Sequence, residues 1–338
     1  MKLIKTTEAV GHVLCHDLTQ IIPNEYKGAR FRKGHIVTEE DIPVLLSMGK
    51  ENLYIWEKYE NMLHENEAAE ILCQICQGEN ISRSEVKEGK IELYAEIDGL
   101  FRVKKEKLFD INSVDELMIA TRKSDTIVHK GDKLAGTRVI PLVIRKEKLI
   151  EAEKIAGDTP ILSVLPFTVK KAAVITTGSE VFHGRIEDKF TPILTEKLKA
   201  YGIEVVSHQK VDDQTEHIKE AIETVRKDVD IVLCTGGMSV DPDDNTPGAI
   251  KQSGADIVTY GAPVLPGAMF LLGYFDDDTP VLGLPGCVMY AKATIFDLVM
   301  PTIAAGIRLT KRDFVEYGEG GLCLGCEECH YPNCGFGK

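Results

Sequence analysis

The sequence lacks an excess of positive charge. Its 40 lysine and arginine residues are outnumbered by 53 aspartate and glutamate residues, which gives a net charge of −13. Nucleic acids and anionic membranes attract basic surfaces. The charge balance therefore excludes a general nucleic-acid or membrane-surface binder, although a local basic patch is compatible with it.

A long uninterrupted apolar run is also absent from the sequence. The most apolar stretch, 280–307, is interrupted by Pro285, Lys292, Asp297 and Pro301, and it falls short of the roughly 20 apolar residues of a transmembrane helix. The first residues, MKLIKTTEAVGHVLCHDL, have neither a long apolar core nor a small-residue cleavage site typical of a secretory signal. We therefore expect a cytoplasmic protein without a membrane partner.

The composition and length predict a globular protein of more than one domain. Hydrophobic residues make up 43% of the 338 residues and charged residues 28%, which is ordinary for a globular protein with real cores. The length allows roughly two domains of ~150 residues each. The pattern predicts an N-terminal α+β region (1–165), an α/β domain (166–310), and a linker with a cysteine-rich tail (311–338).

Strands and helices alternate regularly between residues 166 and 310. The continuous apolar run at 171–177 is typical of a strand that is buried on both faces. Further strands are predicted at 203–208, 230–234, 256–260, 269–274 and 280–284, and helices at 190–201, 215–227, 246–253 and 288–305. This alternation predicts three layers, with a parallel sheet between two layers of helices.

The first 165 residues have a less regular pattern. It predicts strands at 30–37, 52–56 and 138–144, helices at 39–47, 67–76 and 112–120, and a hairpin at 91–104 that turns at Gly99. The interpretation is an α+β region whose strand order is open.

Three glycine-rich or acidic turns follow predicted strands of the middle segment. They are TTGSE at 176–180, the pair Asp212-Asp213, and TGGMSVDPDD at 235–244. Ligands of open parallel sheets bind beyond the carboxyl ends of the strands. Glycines and hydroxyls suit a phosphate, whereas carboxylates indicate Mg²⁺ or proton transfer. Each turn alone is also compatible with an ordinary loop, but three at one sheet edge predict a site.

The motifs TTGSEV, the aspartate pair, TGGMSVDPDDNTPGAI and LPG resemble the molybdopterin-binding domain of molybdenum-cofactor biosynthesis proteins over about 168–308. Molybdopterin molybdenumtransferases, molybdopterin adenylyltransferases and a competence-damage-type family share that domain. With VLCHDLTQI, KGHIVTEEDI, TRVIPLVI and the cysteine-rich tail, the whole chain most resembles clostridial-type molybdopterin-binding proteins of molybdenumtransferase character.

The resemblance implies an enzyme that binds molybdopterin or adenylyl-molybdopterin and inserts molybdate with Mg²⁺-dependent release of AMP. The implied catalytic carboxylates are Glu180, Asp213, Asp241 and Asp244. The implied cofactor-binding residues are Thr177, Gly178, Ser179, Gly236, Gly237, Ser239, Pro285 and Gly286. A homo-oligomer is expected, because the sites of this family are usually completed across subunits.

Two departures from the transferase pattern leave other functions open. The loop at 264–269, VLPGAM, has no lysine where the transferases carry a KPGKP-like loop, and DDNTP at 243–247 resembles the DxTP motif of the adenylyltransferases. The alternatives are therefore a molybdopterin adenylyltransferase, or a non-catalytic molybdopterin carrier or sensor that docks on a molybdoenzyme.

Four cysteines lie close together at the end of the sequence, at Cys323, Cys326, Cys329 and Cys334. Zn²⁺ and small iron–sulfur clusters both accept four thiolates. The spacing therefore predicts a metal-binding tail, with an unstructured, oxidation-prone tail as the alternative.

Overall fold

The computed structural model describes residues 2–22, 26–55, 61–242 and 244–338. The chain divides into two compact units. The first comprises Met1–Ile97, Phe101–Ser124 and His129–Val164, and the second comprises Asp98–Leu100, Asp125–Val128 and Leu165–Lys338. Across these described ranges, we find no helix with the length and apolarity that a membrane crossing requires.

Both α-helices and β-strands occur throughout the chain. The strands up to residue 165 are β1 (Lys2–Lys5), β2 (Leu18–Ile22), β3 (Tyr26–Phe31), β4 (Asn52–Ile55), β5 (Met62–His64), β6 (Ile81–Arg83), β7 (Lys90–Ala95), β8 (Gly99–Val103), β9 (Leu117–Thr121), β10 (Thr126–Val128), β11 (Lys133–Val139), β12 (Val143–Arg145) and β13 (Leu162–Leu165). The helices of this part are α1 (Asp41–Ser47), α2 (Glu65–Cys76), α3 (Lys105–Asn112) and α4 (Lys146–Ala156).

The remaining elements belong to the second unit. Its strands are β14 (Lys171–Thr177), β15 (Glu204–Val211), β16 (Ile231–Thr235), β17 (Asp256–Tyr260), β18 (Leu271–Tyr274) and β19 (Pro280–Leu284). Its helices are α5 (Ser179–Phe182), α6 (Phe190–Lys199), α7 (Thr215–Val225), α8 (Thr246–Gln252), α9 (Ile295–Ala304) and α10 (Lys311–Val315).

A six-stranded sheet in the order β15-β14-β16-β19-β18-β17 forms the centre of the second unit. The strands β15, β14, β16 and β19 are parallel, as predicted, but β18 runs antiparallel to both β17 and β19. The expectation of an entirely parallel sheet was therefore wrong at this edge. A parallel crossover needs about a dozen residues, and neither 261–270 nor 275–279 is that long.

Helices cover both faces of this sheet, which confirms the three-layer prediction. Ala172 and Val174 of β14 pack with α6 and α9 on one face, whereas Ala173 and Ile175 pack with α7 and α8 on the other. Successive residues of a strand point to opposite faces. The uninterrupted apolar run of β14 therefore contributes to two separate cores.

The last long helix begins later than the sequence pattern predicted. It starts at Ile295 instead of residue 288, because the Thr294 side chain accepts the N–H of Phe296 at 3.2 Å and Asp297 accepts the N–H of Thr294 at 2.8 Å. This reciprocal cap satisfies N–H groups that a helix start leaves unpaired. Residues 286–289 form a separate 3₁₀ turn before it.

Several predictions for the first unit were wrong in detail. Residues 91–104 do not form a hairpin, because β7 pairs with β6 and β11. The predicted strand at 30–37 is replaced by β3, which ends at Phe31. The predicted helix at 112–120 instead ends at Asn112, and β9 follows. The predicted strand at 52–56, in contrast, is confirmed over its described residues as β4 (Asn52–Ile55), and Trp56 lies outside the described residues.

Candidate functional site

The three predicted turns lie side by side at the carboxyl edge of the central sheet. Thr177 at the end of β14 pairs with Val211 at the end of β15, and Thr176 pairs with Thr235 at the end of β16. The residues that follow each strand therefore emerge next to one another. This is the edge at which open α/β sheets bind ligands.

Asp213 joins these turns through two hydrogen bonds. Its side-chain Oδ2 accepts the backbone N–H of Ser179 at 2.8 Å, and its backbone carbonyl accepts Nδ2 of Asn245 at 2.8 Å. The first bond holds the turn after β14, and the second holds the loop before α8. One residue of the predicted set thus connects all three turns.

Glycine is required at both positions of the turn after β16. Gly236 and Gly237 have φ values of +86° and +54°, a region that residues with a Cβ rarely adopt. A Cβ on Gly236 would lie 2.3 Å from the carbonyl oxygen of Thr177, and one on Gly237 would lie 2.9 Å from Oγ1 of Thr246. The turn therefore packs directly against the end of β14.

Thr177 turns its hydroxyl into the protein. Its Oγ1 donates to the carbonyl oxygen of Thr235 at 3.1 Å and lies 3.1 Å from Oγ1 of Thr246, which donates to the carbonyl of Gly236 at 2.8 Å. Both threonines are buried. The hydroxyl of Thr177 therefore braces the turn from within the protein.

The acidic loop between β16 and α8 carries Asp241 and Asp244. The carboxylate of Asp244 accepts the N–H of Asp241 at 3.1 Å, and the N–H of Asp244 donates to the carbonyl of Asp241 at 2.9 Å. Ser239 is exposed at the start of this loop. The Tyr260 hydroxyl lies 3.0 Å from the carbonyl oxygen of Met238 and 3.3 Å from that of Ser239. Tyr260, which the sequence pattern did not single out, therefore anchors the loop to β17.

Other predicted residues lie at the same edge of the sheet. Glu180 is exposed in α5, directly after Gly178 and Ser179, and the buried Pro285 and exposed Gly286 follow β19. The residues with described positions contain no group of three or more His, Cys, Asp or Glu side chains arranged to hold a metal ion. The four predicted carboxylates therefore do not form a metal cage by themselves.

A cluster of polar side chains beside this edge was missed by the sequence reasoning. Asp188 Oδ2 lies 2.9 Å from His208 Nε2 and accepts the Thr191 hydroxyl at 2.6 Å, while the Thr176 hydroxyl lies 3.3 Å from the same His208 nitrogen. Asp188 also accepts the N–H of Phe190 at 2.8 Å. An aspartate just before an amphipathic helix is a recognisable cap signal, but its pairing with a histidine of β15 depends on the fold.

Asp188 is ionised in this cluster. Burial acts to raise its pKa, but the hydrogen bonds from Thr191 and Phe190 and the proximity of His208 outweigh burial and hold the pKa below its ordinary value. A carboxylate in this position fixes the start of α6 against β15. The cluster contacts Thr176 of β14, whose side chain lies on the opposite face of the sheet from that of Thr177.

The cysteine-rich tail packs on the second unit instead of gathering its four thiols. The N–H of Leu265 donates to the carbonyl of Gly321 at 2.8 Å, and the N–H of Cys323 donates to the carbonyl of Leu265 at 2.8 Å. Cys323 and Cys334 pack against the core, whereas Cys326 and Cys329 are exposed. This arrangement does not fit a four-thiolate metal site.

Two family models match the sequence. Residues 173–305 match a family described as a probable molybdopterin binding domain, and residues 3–57 match a domain of unknown function (DUF8806). Among curated proteins, the CinA-like protein of Thermotoga maritima is 39% identical over 84 residues, which are 25% of this chain. The matched segment is about a fifth of that relative's length, at 21%.

Solved structures of molybdopterin biosynthesis proteins are also similar to parts of the chain. The enzyme MoaB from Thermus thermophilus is 21% identical with a TM-score of 0.35, and the match covers 40% of this chain and 97% of that one. The MoeA protein from Pyrococcus horikoshii is 17% identical with a TM-score of 0.34, and the match covers 72% of this chain and 79% of that one.

Proposed function

Since residues 173–305 form a domain of the molybdopterin-binding family, we propose that the protein acts in molybdenum-cofactor biosynthesis. It binds molybdopterin or adenylyl-molybdopterin at the carboxyl edge of the central sheet, and it inserts molybdate with Mg²⁺-dependent release of AMP. The observation that carries this proposal is the junction at Asp213, which holds the turns after β14 and β16 around one point.

The residues around this junction have separate roles in the proposal. Gly178, Gly236 and Gly237 turn the backbone at this edge through their positive φ values, and the turned backbone offers its N–H groups to the pterin phosphate or nucleotide. Ser179 and Ser239 offer hydroxyls to the phosphate. Pro285 and Gly286 form the neighbouring wall after β19. Thr177 contributes by bracing the turn, since its hydroxyl points inward.

The carboxylates are compatible with a magnesium ion that takes most of its ligands from the substrate. Mg²⁺ usually binds one or two carboxylates together with substrate phosphates and waters. Asp213 and the exposed Asp241 and Glu180 are oxygen donors at this edge, which suits a hard cation. When bound, the ion offsets the repulsion between molybdate and the adenylyl phosphate. The carboxylates of Asp213, Asp241 and Glu180 would hold such an ion.

The first test is AMP release from adenylyl-molybdopterin in the presence of Mg²⁺ and molybdate. The wild-type chain should release AMP only when molybdate is added, and Glu180→Gln and Asp213→Asn should each lower the rate by roughly tenfold or more, as expected for lost charged contacts. Glu187→Gln is the matched control, because Glu187 is exposed outside the proposed site.

This assay, together with a second incubation of the protein with ATP and molybdopterin, distinguishes the alternatives. AMP release without molybdate dependence would contradict the transferase reaction. Formation of adenylyl-molybdopterin from ATP and molybdopterin would identify an adenylyltransferase instead. Tight binding without turnover would identify a carrier.

One observation favours the carrier as a second candidate. The loop at 264–269 has no lysine to meet a phosphate, and its residue Leu265 is hydrogen-bonded on both sides to the tail, at Gly321 and Cys323. A loop held in this way presents a protein surface instead of a phosphate site. The partner of such a carrier would be a molybdoenzyme, and co-sedimentation of the two proteins tests this.

A metal in the cysteine tail, Zn²⁺ or an iron–sulfur cluster, is proposed from the spacing of Cys323, Cys326, Cys329 and Cys334 alone. Because two of these thiols pack against the core, binding requires the tail to rearrange. Metal analysis of protein purified without oxygen should show one site, which Cys326→Ser abolishes. A metal content unchanged by Cys326→Ser would refute a site in the tail.

We also propose a homo-oligomer, on the resemblance alone. Light scattering of the purified chain tests this proposal, and a monomeric mass would contradict it.

A further inference from the structure

The first unit contains a concentration of positive charge that the proposed function does not use. The ten residues 26–35, YKGARFRKGH, include Lys27, Arg30, Arg32, Lys33 and His35 and no acidic residue, in a chain whose net charge is −13. They form β3 and the turn that follows it. A positively charged segment in an acidic chain is typical of a site that binds an anion.

This segment lines a concave surface. Residues 29–35 surround an open cavity of about 620 Å³, together with Asp41 and Val44 of α1. Pockets for small molecules have volumes of roughly 300–1,000 Å³. Arg30 and Arg32 flank the buried Phe31 and are both exposed, so that their guanidinium groups are available at the cavity.

The backbone of the cavity wall is held in place by its neighbours. The N–H of Lys33 donates to Asp17 Oδ1 at 2.7 Å, the N–H of Gly34 donates to the carbonyl of Leu14 at 2.8 Å, and the N–H of Leu14 donates to the carbonyl of His35 at 2.9 Å. A ligand would therefore meet a preformed wall. Less conformational entropy is lost when a preformed site binds.

The acidic residue in the cavity does not cancel the arginines. Asp41 Oδ2 lies 2.7 Å from Nε2 of His35 and accepts both the N–H and the hydroxyl of Thr38, at 2.8 and 2.9 Å. These hydrogen bonds hold its carboxylate at the start of α1. In contrast, among the residues with described positions, the guanidinium groups of Arg30 and Arg32 have neither an ion pair nor a hydrogen bond with another side chain.

We propose that this cavity binds a small phosphate-bearing molecule, with Arg30 and Arg32 as the recognition pair. The planar guanidinium group donates two parallel N–H bonds and matches phosphate oxygens better than a lysine does. A long polyanion is disfavoured because the positive charge is confined to one concave segment of an acidic chain. The residues of this site belong to the first unit and lie outside residues 173–305.

The test is calorimetric titration of the full chain with phenyl phosphate and, separately, with inorganic phosphate. We expect phenyl phosphate to bind saturably. Tighter binding of phenyl phosphate than of inorganic phosphate would identify a phosphate ester as the ligand. Tighter binding of inorganic phosphate would identify free phosphate. The double variant Arg30→Ala/Arg32→Ala should weaken binding by roughly tenfold or more. Arg30→Lys/Arg32→Lys should bind phenyl phosphate with intermediate affinity, because lysine keeps the positive charge but cannot donate two parallel N–H bonds from one planar group.

Lys27→Ala is the matched control. Lys27 lies on the same strand and is exposed, but it does not line the cavity, so this variant should change the affinity by less than about threefold. Absence of saturable binding by the wild type would overturn the proposal. An equal loss in Lys27→Ala and the double alanine variant, or tighter binding of a single-stranded oligonucleotide than of phenyl phosphate, would also overturn it.

Discussion

The hydroxyl of Thr177 lies 3.1 Å from the hydroxyl of Thr246, so the last residue of β14 is joined to the first residue of α8. The Gly236–Gly237 turn lies between them. The Thr177 hydroxyl also donates to the carbonyl of Thr235, and the Thr246 hydroxyl donates to the carbonyl of Gly236. The site edge is therefore braced from within by two buried side chains.

Removal of the Thr177 hydroxyl should destabilise the second unit. We expect Thr177→Val to lower the free energy of unfolding by about 1–3 kcal/mol, because the buried carbonyl of Thr235 loses its donor. Thr177→Val/Thr246→Val should cost less than the sum of the single variants, since the two hydroxyls share one network. Calorimetric unfolding measures this coupling, and strictly additive losses would contradict it.

Gly236→Ala should disturb the site more than the addition of one methyl group suggests. The new Cβ would lie 2.3 Å from the Thr177 carbonyl oxygen at a φ of +86°, so the backbone of the turn must move. We expect a loss of molybdopterin binding together with lower thermal stability. Gly248→Ala is the control, because a Cβ there meets nothing within 4 Å and alanine favours a helix by up to about 1 kcal/mol. Equal molybdopterin binding and equal thermal stability of the two variants would contradict the close packing of Gly236 against Thr177.

The stability contribution of Asp188 should depend on pH in the acid range. Its folded pKa lies below its ordinary value, so the ionised carboxylate stabilises the fold at neutral pH. This contribution is lost as the pH falls from about 4, the ordinary aspartate pKa, through the lower folded pKa. Asp188→Asn should therefore be less stable than wild type by roughly 1–3 kcal/mol at pH 7, with a difference that shrinks below pH ~4.

Denaturant unfolding at a series of pH values checks this prediction. The exposed Asp228 after α7 provides the control Asp228→Asn, which should follow the wild type at every pH. A difference between Asp188→Asn and wild type that stays constant down to pH ~3 would show that the charge of Asp188 is not what stabilises the cluster.

The tail should be held by Phe336. This ring is 5% exposed and packs in the core with Tyr331 beside it, at a centroid distance of 6.2 Å. Phe336→Ala should release the tail, with a loss of about 3 kcal/mol from the lost burial and the cavity, and hydrogen exchange of residues 316–338 should accelerate. Leu324→Ala, at an 84% exposed position, should leave the exchange unchanged. Slow exchange in both variants would mean that other contacts hold the tail.

The sequence alone determined the layers of the second unit and the edge at which the candidate site lies. Burial on two faces is encoded in the uninterrupted apolar run of β14, and the glycines of the turn after β16 are required by its backbone conformation. Such signals are local, because a strand or turn carries them within a few residues. A family described as a probable molybdopterin binding domain matches residues 173–305, which confirms the family resemblance.

Only the tertiary structure decided which distant residues meet. The antiparallel course of β18, the pairing of β7 with β11, and the contact between Asp188 and His208 each depend on a partner far along the chain. The cysteine spacing predicted a metal site, yet two of these thiols pack against the core. Sequence periodicity indicates whether a residue is buried. Which residue it contacts depends on how all the helices and strands of the folded chain pack together.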